Sequence, residues 1–210
     1  MELFATDIRC WDEKNFSSHL LDKNELIRLS HMTHPKRRRE FIIGRVLIKQ
    51  VLADLLGQNP NDILLSLKEN RVPYLPNSGV HFSLSHSDSF VLMAVSEYPI
   101  GIDIEQIKPR NLNRLKSVLT QQQIQMMNLL SDDEEKTAFF YRCWTMKEAS
   151  FKLNAFTQHP VLHPYFLSGR WGQCLIAGAS NVPLHETSVQ LKDFNRNICE
   201  NIPMCDVLLS

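Results

Sequence analysis

The hydrophobic positions of the chain follow a helical period in two long stretches. After Pro35, apolar residues recur every three to four positions as far as Leu56, which is typical of a helix with one buried face. Gly57 comes next and is suited to end this helix, because glycine readily adopts the left-handed backbone found there. A second helix is predicted over 132–153, where Ser131-Asp132-Asp133-Glu134 matches a capping box.

The other apolar segments are short and bounded by turn residues, as strands are. They predict strands near residues 3–8 and 63–67, a hairpin that turns at Ser87-Asp88-Ser89, and a strand at 101–105. Beyond residue 153, short apolar runs between Pro and Gly turns predict a few antiparallel strands. The fold class is therefore α+β. Tyr98-Pro99 predicts a boundary between an N-terminal half, 1–98, and a C-terminal half, 99–210.

The strand Gly101-Ile102-Asp103-Ile104-Glu105 places two carboxylates on one face. Because side chains alternate along a strand, Ile102 and Ile104 point into a core while Asp103 and Glu105 point together to the other side. Neighbouring carboxylates repel each other unless a positive group lies between them, and Mg²⁺ prefers oxygen ligands of this kind. The pattern indicates either a divalent-metal site or a strand whose acidic face is solvated.

Trp144, Glu148 and Lys152 recur at four-residue intervals in the second helix and therefore share one of its faces. The cluster indicates either a functional face or a surface Glu–Lys pair beside a partly buried tryptophan.

The first long helix begins with four cations in a row, Lys36-Arg37-Arg38-Arg39. Positive charge at a helix start opposes the helix dipole, and a bound phosphate would reconcile the two. Arg38, Arg45 and Lys49 continue this charge along one polar stripe of the helix. The alternative to phosphate binding is a solvated basic turn.

Ser85 and His86 come at the end of the first strand of the hairpin, where hydroxyl, backbone N–H and imidazole could meet an anion. Adjacent residues of a strand point to opposite faces, so the pair is poorly placed as a nucleophile and its base. An ordinary serine-rich turn is the alternative.

Composition narrows the class of protein. The 210 residues are 43% hydrophobic and 22% charged, as in globular domains, and 23 Lys and Arg balance 23 Asp and Glu. A balanced chain has no global basic field, so we expect no nucleic-acid partner. Five cysteines without a CxxC pair favour free thiols in a reducing cytoplasm, and neither a secretory signal nor a membrane-spanning run is predicted.

Three of these motifs together resemble one protein family. Gly101-Ile102-Asp103-Ile104-Glu105, Trp144-x-x-Lys147-Glu148-Ala149-x-x-Lys152 and Phe82-Ser83-Leu84-Ser85-His86-Ser87 are similar to motifs of the 4′-phosphopantetheinyl transferase superfamily. The chain length resembles the surfactin-synthetase type rather than the shorter trimeric type. This resemblance implies a monomeric pseudo-dimer of two similar α/β halves, each a small antiparallel sheet packed on a long helix.

The resemblance implies transfer of the phosphopantetheine arm of coenzyme A (CoA) to a serine of an acyl or peptidyl carrier protein. The reaction releases 3′,5′-ADP and needs Mg²⁺, as in holo-acyl-carrier-protein synthases. Asp103, Glu105 and Glu148 would hold Mg²⁺ against the CoA pyrophosphate, so that Asp103 also contributes to CoA binding. Lys152 would reach the attacked phosphate, and Glu148 is a candidate acceptor of the serine proton, directly or through water.

The same resemblance implies CoA contacts from the N-terminal half. Ser85 and His86 match the family turn that contacts the phosphates, with His86 facing the 3′-phosphate. Arg45 and the Lys36–Arg39 run, with Arg38 as its candidate, match the basic helix that grips the 3′-phosphate.

Two positions depart from the family pattern. Arg71, in Asn70-Arg71-Val72-Pro73, stands where the family often has the Lys of a Gly-Lys-Pro motif. The positive charge is kept, but the planar guanidinium group of arginine replaces the compact ammonium group of lysine. After Lys152, Leu153-Asn154-Ala155-Phe156 stands where many members have a Gly-rich turn. The second departure concerns the substrate contacts of the downstream loop rather than the metal site.

A helical stretch over 112–130, which includes Arg114, Lys116, Met126 and Met127, is the predicted docking surface for an acidic carrier protein. Two other functions stay open at this point. One is a metal-dependent nucleotide phosphohydrolase that uses water as nucleophile, and the other is a non-catalytic CoA-binding module.

Overall fold

The chain forms α-helices and short strands in a computed structural model that describes residues 1–11, 18–69, 71–112, 116–184, 188–193 and 198–206. For residues 10, 18, 116, 188–193 and 198–206 the description covers the backbone only. The α-helices are α1 (Lys23–Ser30), α2 (Pro35–Leu56), α3 (Gln121–Leu129) and α4 (Asp133–Asn154). The strands are β1 (Glu2–Asp7), β2 (Ser66–Leu67), β3 (Pro73–Tyr74), β4 (His81–Ser87), β5 (Phe90–Ser96), β6 (Ile100–Gln106), β7 (Tyr165–Trp171), β8 (Cys174–Ser180), β9 (Ser188–Asp193) and β10 (Ile198–Asp206).

Helix α2 begins and ends where the sequence predicts. Pro35 occupies the first turn, and Gly57 follows the last residue with φ 63°, in the left-handed region that glycine tolerates. The backbone N–H of Gly57 donates to the carbonyl of Ala53 and so satisfies one of the free carbonyls at the helix end.

The predicted start of α4 is wrong by one residue. Its N-cap is Asp132 rather than Ser131, and the Asp132 side chain accepts a hydrogen bond from the backbone N–H of Glu135 at 3.0 Å. A charged carboxylate at this position satisfies a free N–H and also complements the positive end of the helix dipole.

The predicted helix over 112–130 is also shorter than expected. Helix α3 begins only at Gln121, where Thr120 and Gln123 form a reciprocal capping box. Residues 113–115 lie outside the described residues. The cap at Thr120 explains the late start, since it satisfies the first free N–H groups of a helix that begins there.

Eight strands follow one another in a single order, β4-β5-β1-β9-β10-β7-β8-β6. Most neighbours are antiparallel, as predicted for the region after residue 153, but β1 pairs in parallel with β9. The two ends of this order, β4 and β6, lie side by side, because backbone N–H groups of β6 donate to serine side chains of β4. The sheet therefore closes on itself.

Both halves contribute to the core inside this closed sheet. Its residues are Leu3, Ala5, Leu92 and Ala94 from β1 and β5, and Ile100, Ile102, Ile104, Leu167, Cys174 and Ile176 from β6, β7 and β8. Helix α2 covers the outer face of β1 and β5, where Ile43 and Leu47 join the same cluster as Phe4 and Met93.

Helix α4 covers the outer face of β8, where Met146 and Ala149 join the same cluster as Ala177 and Ala179. Each long helix thus packs on strands of its own half, and the predicted α+β fold of two similar halves is confirmed. The predicted boundary after residue 98 falls between β5 and β6 and stays a prediction. Among the described helices, none has the length and apolarity needed to cross a lipid bilayer.

Candidate active site

Gly101 lets α4 lie directly against β6. A Cβ atom at this position would overlap the backbone carbonyl of Ala149 and approach the backbone nitrogen of Leu153 to 2.6 Å. Backbone atoms of a packed helix cannot yield as the end of a flexible side chain can. The glycine therefore permits the close contact that brings the last turns of α4 to the carboxylates of β6.

Asp103 and Lys152 form an ion pair at this contact. Asp103 is 5% exposed, and its Oδ1 accepts hydrogen bonds from Lys152 Nζ at 2.7 Å and Ser85 Oγ at 2.6 Å. Lys152 Nζ also donates to the backbone carbonyl of Ile102 at 3.0 Å. The ammonium thus compensates the charge of a carboxylate that would be costly to bury alone.

The second oxygen of Asp103 has a different environment. Oδ2 is buried, and no described residue donates a hydrogen bond to it. A buried carboxylate oxygen without a donor is unfavourable unless another group binds it, and hard divalent cations prefer such oxygens. Because Glu105 presents a second carboxylate on the same face of β6, the residues present fit the Mg²⁺ that the resemblance implies.

Glu105 is held by hydrogen bonds from two elements. Its Oε2 accepts from Ser87 Oγ of β4 at 2.7 Å, and its Oε1 accepts from Trp144 Nε1 of α4 at 3.3 Å. The carboxylate is therefore fixed between the N-terminal half and the long helix of its own half. The sequence identified the Trp144 face of α4, but only the structure shows that its indole N–H meets Glu105.

Glu148 lies one turn before Lys152 on α4 and is half-buried, and its side chain makes no hydrogen bond or ion pair with another described residue. In the described part of the chain, no three Asp, Glu, His or Cys side chains form a ready metal-binding group. The structure places Asp103 and Glu105 on β6 and pairs Asp103 with Lys152. The three-carboxylate ligand set therefore stays a prediction.

A cleft of about 560 Å³ opens between α2, the end of β4 and residues 71–73. Four of the predicted CoA contacts line it: Arg45, Arg71, His86 and Lys152. Asp103 and Glu105 do not line the cleft themselves, but Lys152 pairs with Asp103, so one residue of the cleft wall contacts a carboxylate of β6. A cavity of this size with several cationic walls suits an anionic ligand.

Arg38 does not line this cleft. Its guanidinium donates to the backbone carbonyls of Leu29 at 2.6 Å and Met32 at 3.0 Å, at the end of α1. Arg37 lines the cleft instead, while Arg39 donates to the carbonyl of Trp11 at 2.6 Å. Two of the four consecutive cations therefore donate to backbone carbonyls that would otherwise be free. These two residues need no bound phosphate to explain their presence.

Arg45 is both a wall of the cleft and part of a buried ionic group. Its Nε lies 3.0 Å from Glu25 Oε1, and Lys49 Nζ lies 2.8 Å from Glu25 Oε2. Burial lowers the pKa of the Arg45 guanidinium, and the carboxylate of Glu25 opposes this shift. Glu25 was not identified from the sequence. Its signal there is the capping-box pattern Asp22-x-x-Glu25, and the structure contains that capping box.

Arg28 is a further cleft residue that the sequence analysis missed. Its guanidinium carbon lies 5.2 Å from the centre of the Phe41 ring, and that of Arg45 lies 5.0 Å from the same centre. No local pattern could have found Arg28, because α1 meets α2 only in the tertiary structure.

Ser85 and His86 point to opposite sides of β4, as predicted. His86 is exposed, with Nδ1 at 3.8 Å from Glu40 Oε2, whereas Ser85 is buried. The Ser85 hydroxyl is directed at β6, where it meets Asp103 and the backbone N–H of Ile104. Its predicted contact with CoA stays a prediction.

The structure divides the predicted docking stretch 112–130. Met126 is 50% exposed, but Met127 is 2% exposed and belongs to a core cluster, so it cannot form part of a surface patch. Arg114 and the side chain of Lys116 lie outside the description. A groove of about 980 Å³ on another face of α4, beside Phe151 and Tyr165, contains none of the predicted catalytic, CoA-binding or metal-binding residues, although Val118, Thr120 and Gln123 of the stretch 112–130 line it.

Comparison with protein-family models gives two adjacent matches. Residues 23–96 match the 4′-phosphopantetheinyl transferase N-terminal domain, and residues 99–163 match the 4′-phosphopantetheinyl transferase superfamily. The first range contains the cationic part of the cleft, and the second contains β6 and α4.

Similar proteins have the same activity in their names. The chain is 30% identical over 161 residues to 4′-phosphopantetheinyl transferase psf-1 of Bacillus pumilus, which covers 73% of this chain and 68% of that protein. It is 33% identical over 120 residues to 4′-phosphopantetheinyl transferase Sfp of Bacillus subtilis, and this match covers 57% of this chain and 53% of that protein. It is 34% identical over 139 residues to 4′-phosphopantetheinyl transferase HetI of a Nostoc species, and this match covers 63% of this chain and 58% of that protein. The chain thus spans between about half and two thirds of these relatives.

Proposed function

This chain belongs to the 4′-phosphopantetheinyl transferase superfamily, and we propose on that premise that it transfers the phosphopantetheine arm of CoA to a carrier-protein serine. The observation that carries the proposal is the position of Lys152. Its ammonium lines the cationic cleft and also pairs with Asp103 on β6. A ligand in the cleft would therefore have its phosphates beside the carboxylates.

The cleft provides recognition for the phosphates of CoA. Arg37, Arg71 and His86 line it from the N-terminal half, and Lys152 lines it from the C-terminal half. Guanidinium groups bind phosphate oxygens through pairs of charge-assisted hydrogen bonds. We assign the 3′-phosphate to the N-terminal cations and the pyrophosphate to the Lys152 end.

The transfer breaks the pyrophosphate bond next to the pantetheine phosphate, forms a bond from that phosphorus to the serine oxygen, and releases 3′,5′-ADP. Lys152 binds the attacked phosphate, and Glu148 accepts the serine proton, directly or through water. Asp103, Glu105 and Glu148 would hold Mg²⁺, which when bound would stabilise the negative charge that develops as the phosphoanhydride breaks. The buried, unpartnered Oδ2 of Asp103 supports this assignment.

The acceptor is an acyl or peptidyl carrier protein, so that the activity is of the holo-acyl-carrier-protein synthase type. Among the predicted docking residues, exposed Met126 is retained in this proposal and buried Met127 is not. The monomeric state and the cytoplasmic location stay predictions.

The deciding experiment incubates the protein with CoA, Mg²⁺ and a panel of apo carrier proteins, and then weighs the carriers. We expect at least one carrier to gain the mass of a phosphopantetheine arm, and Asp103→Asn and Lys152→Met to abolish the gain. Hydrolysis of CoA with no carrier modified would contradict the proposal and favour a phosphohydrolase. Binding of CoA with no turnover on any carrier would favour a non-catalytic module.

A further inference from the structure

Three serines of β4 form the junction between the two halves. Ser83, Ser85 and Ser87 occupy alternate positions and therefore share the face of β4 that lies against β6. Each hydroxyl oxygen accepts a hydrogen bond from a backbone N–H of β6, at 3.1 Å from Ile102, 3.4 Å from Ile104 and 3.0 Å from Gln106. These contacts take the place of a backbone ladder between the strands.

Two of the three hydroxyls also donate. Ser85 Oγ donates to Asp103 Oδ1 at 2.6 Å, and Ser87 Oγ donates to Glu105 Oε2 at 2.7 Å. A serine hydroxyl has one proton, so a hydroxyl that already accepts a backbone N–H and donates to a carboxylate has a fixed orientation. The carboxylate that accepts this hydrogen bond is held in a fixed orientation as well.

We propose that Ser87 is a positioning residue that orients Glu105 for metal binding from the opposite half of the molecule. This inference rests on the proposed function, since it assumes that Glu105 is a metal ligand. A hydrogen bond to a ligating carboxylate fixes the direction of its oxygens, and losing such a bond weakens metal binding. In the turn that follows Ser87, Asp88 Oδ1 forms an exposed ion pair with Lys108 Nζ at 3.0 Å, just beyond β6.

Ser83 offers a matched control on the same strand. It accepts a backbone N–H of β6 as Ser87 does, but its contact is with Ile102 rather than with a carboxylate. Ser87→Ala and Ser83→Ala therefore both weaken the junction, and only the first removes a donor from a predicted ligand. Ser87→Thr keeps the hydroxyl and tests whether the donor itself matters.

The experiment titrates each purified variant with Mn²⁺ and measures free metal by electron paramagnetic resonance, with thermal unfolding recorded in parallel. We expect Ser87→Ala to bind Mn²⁺ about tenfold more weakly than wild type, with Trp144 still donating to the other oxygen. Ser87→Thr and Ser83→Ala should retain wild-type affinity. In turnover assays, excess Mg²⁺ should restore kcat in Ser87→Ala with no change in the KM for CoA.

The possible results separate this inference from the proposed function. Wild-type affinity in Ser87→Ala, with affinity lost in Asp103→Asn, would overturn the role of Ser87 and leave the metal site in place. An equal loss in Ser83→Ala would also overturn it, because the effect would follow the junction as a whole. Failure of the wild-type protein to bind Mn²⁺ would overturn the metal site and this inference together.

Discussion

Lys152 Nζ lies 2.7 Å from Asp103 Oδ1, so the last turn of α4 is joined to the carboxylate strand β6 by a partly buried ion pair. The pair depends on how closely the helix approaches the strand. The backbone of α4 leaves no space for a side chain at position 101, so only glycine fits there. The geometry of the site therefore depends on a residue that has no functional group.

Gly101→Ala should therefore both destabilise the protein and abolish transfer. A methyl group would overlap the carbonyl of Ala149, and displacing α4 from β6 should cost about 3 kcal/mol of unfolding free energy. Urea denaturation measures this loss. Gly178→Ala on β8 is the matched control, since its nearest neighbours are side-chain atoms at 3.6–3.7 Å, and it should lose under about 1 kcal/mol. Equal losses in the two variants would refute the close-contact explanation.

Lys49→Met tests the buried ionic group between α1 and α2. Lys49 is 1% exposed, and its Nζ contacts Glu25 at 2.8 Å and donates to the carbonyl of Leu20 at 2.6 Å. Removing the ammonium leaves Glu25 with Arg45 as its remaining ion-pair partner among the described residues, beside the backbone N–H of Asp22, so we expect unfolding free energy to fall by about 3 kcal/mol.

Lys36→Met is the control for this substitution. Its ammonium lies 3.8 Å from Glu40 at an exposed position, so its loss should cost less than about 1 kcal/mol. Chemical denaturation of both variants measures the contrast. If Lys49→Met is as stable as Lys36→Met, the Lys49 ammonium does not stabilise the fold.

Arg71→Gly should weaken CoA binding without unfolding the protein. Arg71 lines the cleft with a φ of 64°, so glycine relieves a strained backbone, which offsets the added freedom of the unfolded chain. We expect CoA affinity to fall about tenfold, the effect of losing one charge-assisted contact, and unfolding free energy to change by less than about 1 kcal/mol. Arg71 is a cleaner probe than Arg45, whose removal also disrupts the buried group around Glu25.

Asn77→Gly is the control for Arg71→Gly, because Asn77 has a similar φ of 56° and lies outside the cleft. Calorimetric titration with CoA should show wild-type affinity for this variant. An equal loss of affinity in both variants would assign the effect to the backbone rather than to the guanidinium.

His81 should make the stability of the protein sensitive to pH. Burial, and then the charge of Lys68, lower the pKa of His81 below its ordinary value of 6.5. Near and below pH 6.5 the unfolded chain therefore binds more protons than the folded protein, and the stability contributed by His81 is lost as the pH falls. Denaturation of wild type and His81→Gln between about pH 7.5 and 5.5 tests this, with a smaller loss expected in the variant. Parallel pH profiles would exclude His81 as the cause.

Local signals account for what the sequence predicts well. Pro35 and Gly57 mark the ends of α2 because each acts on its own backbone, and the alternation along β6 separates Ile102 and Ile104 from the carboxylates in any sheet that buries one face. The motif residues on β6 and α4 come together because Gly101, itself part of a motif, permits their contact.

What the sequence could not show concerns contacts between distant elements. The family resemblance implies Arg38 as a candidate CoA contact, and this stays a prediction. The sequence could not show that α1 ends beside Arg38, whose guanidinium donates to two backbone carbonyls there. The spacing of Ser83, Ser85 and Ser87 is visible in the sequence. Its partner strand is not, because β4 and β6 are not paired by a backbone ladder.

Strand β1 has consequences for how a growing chain folds. Leu3 lies opposite Ala94 of β5 on one side and Leu191 of β9 on the other. During synthesis, β5 emerges from the ribosome long before β9, so the first strand has one open edge until translation passes residue 191. Pairing of β1 with so distant a strand costs loop-closure entropy and is therefore slow. A nascent chain stalled before Ser188 would therefore expose an unsatisfied strand, the kind of segment that ribosome-associated chaperones must shield from aggregation.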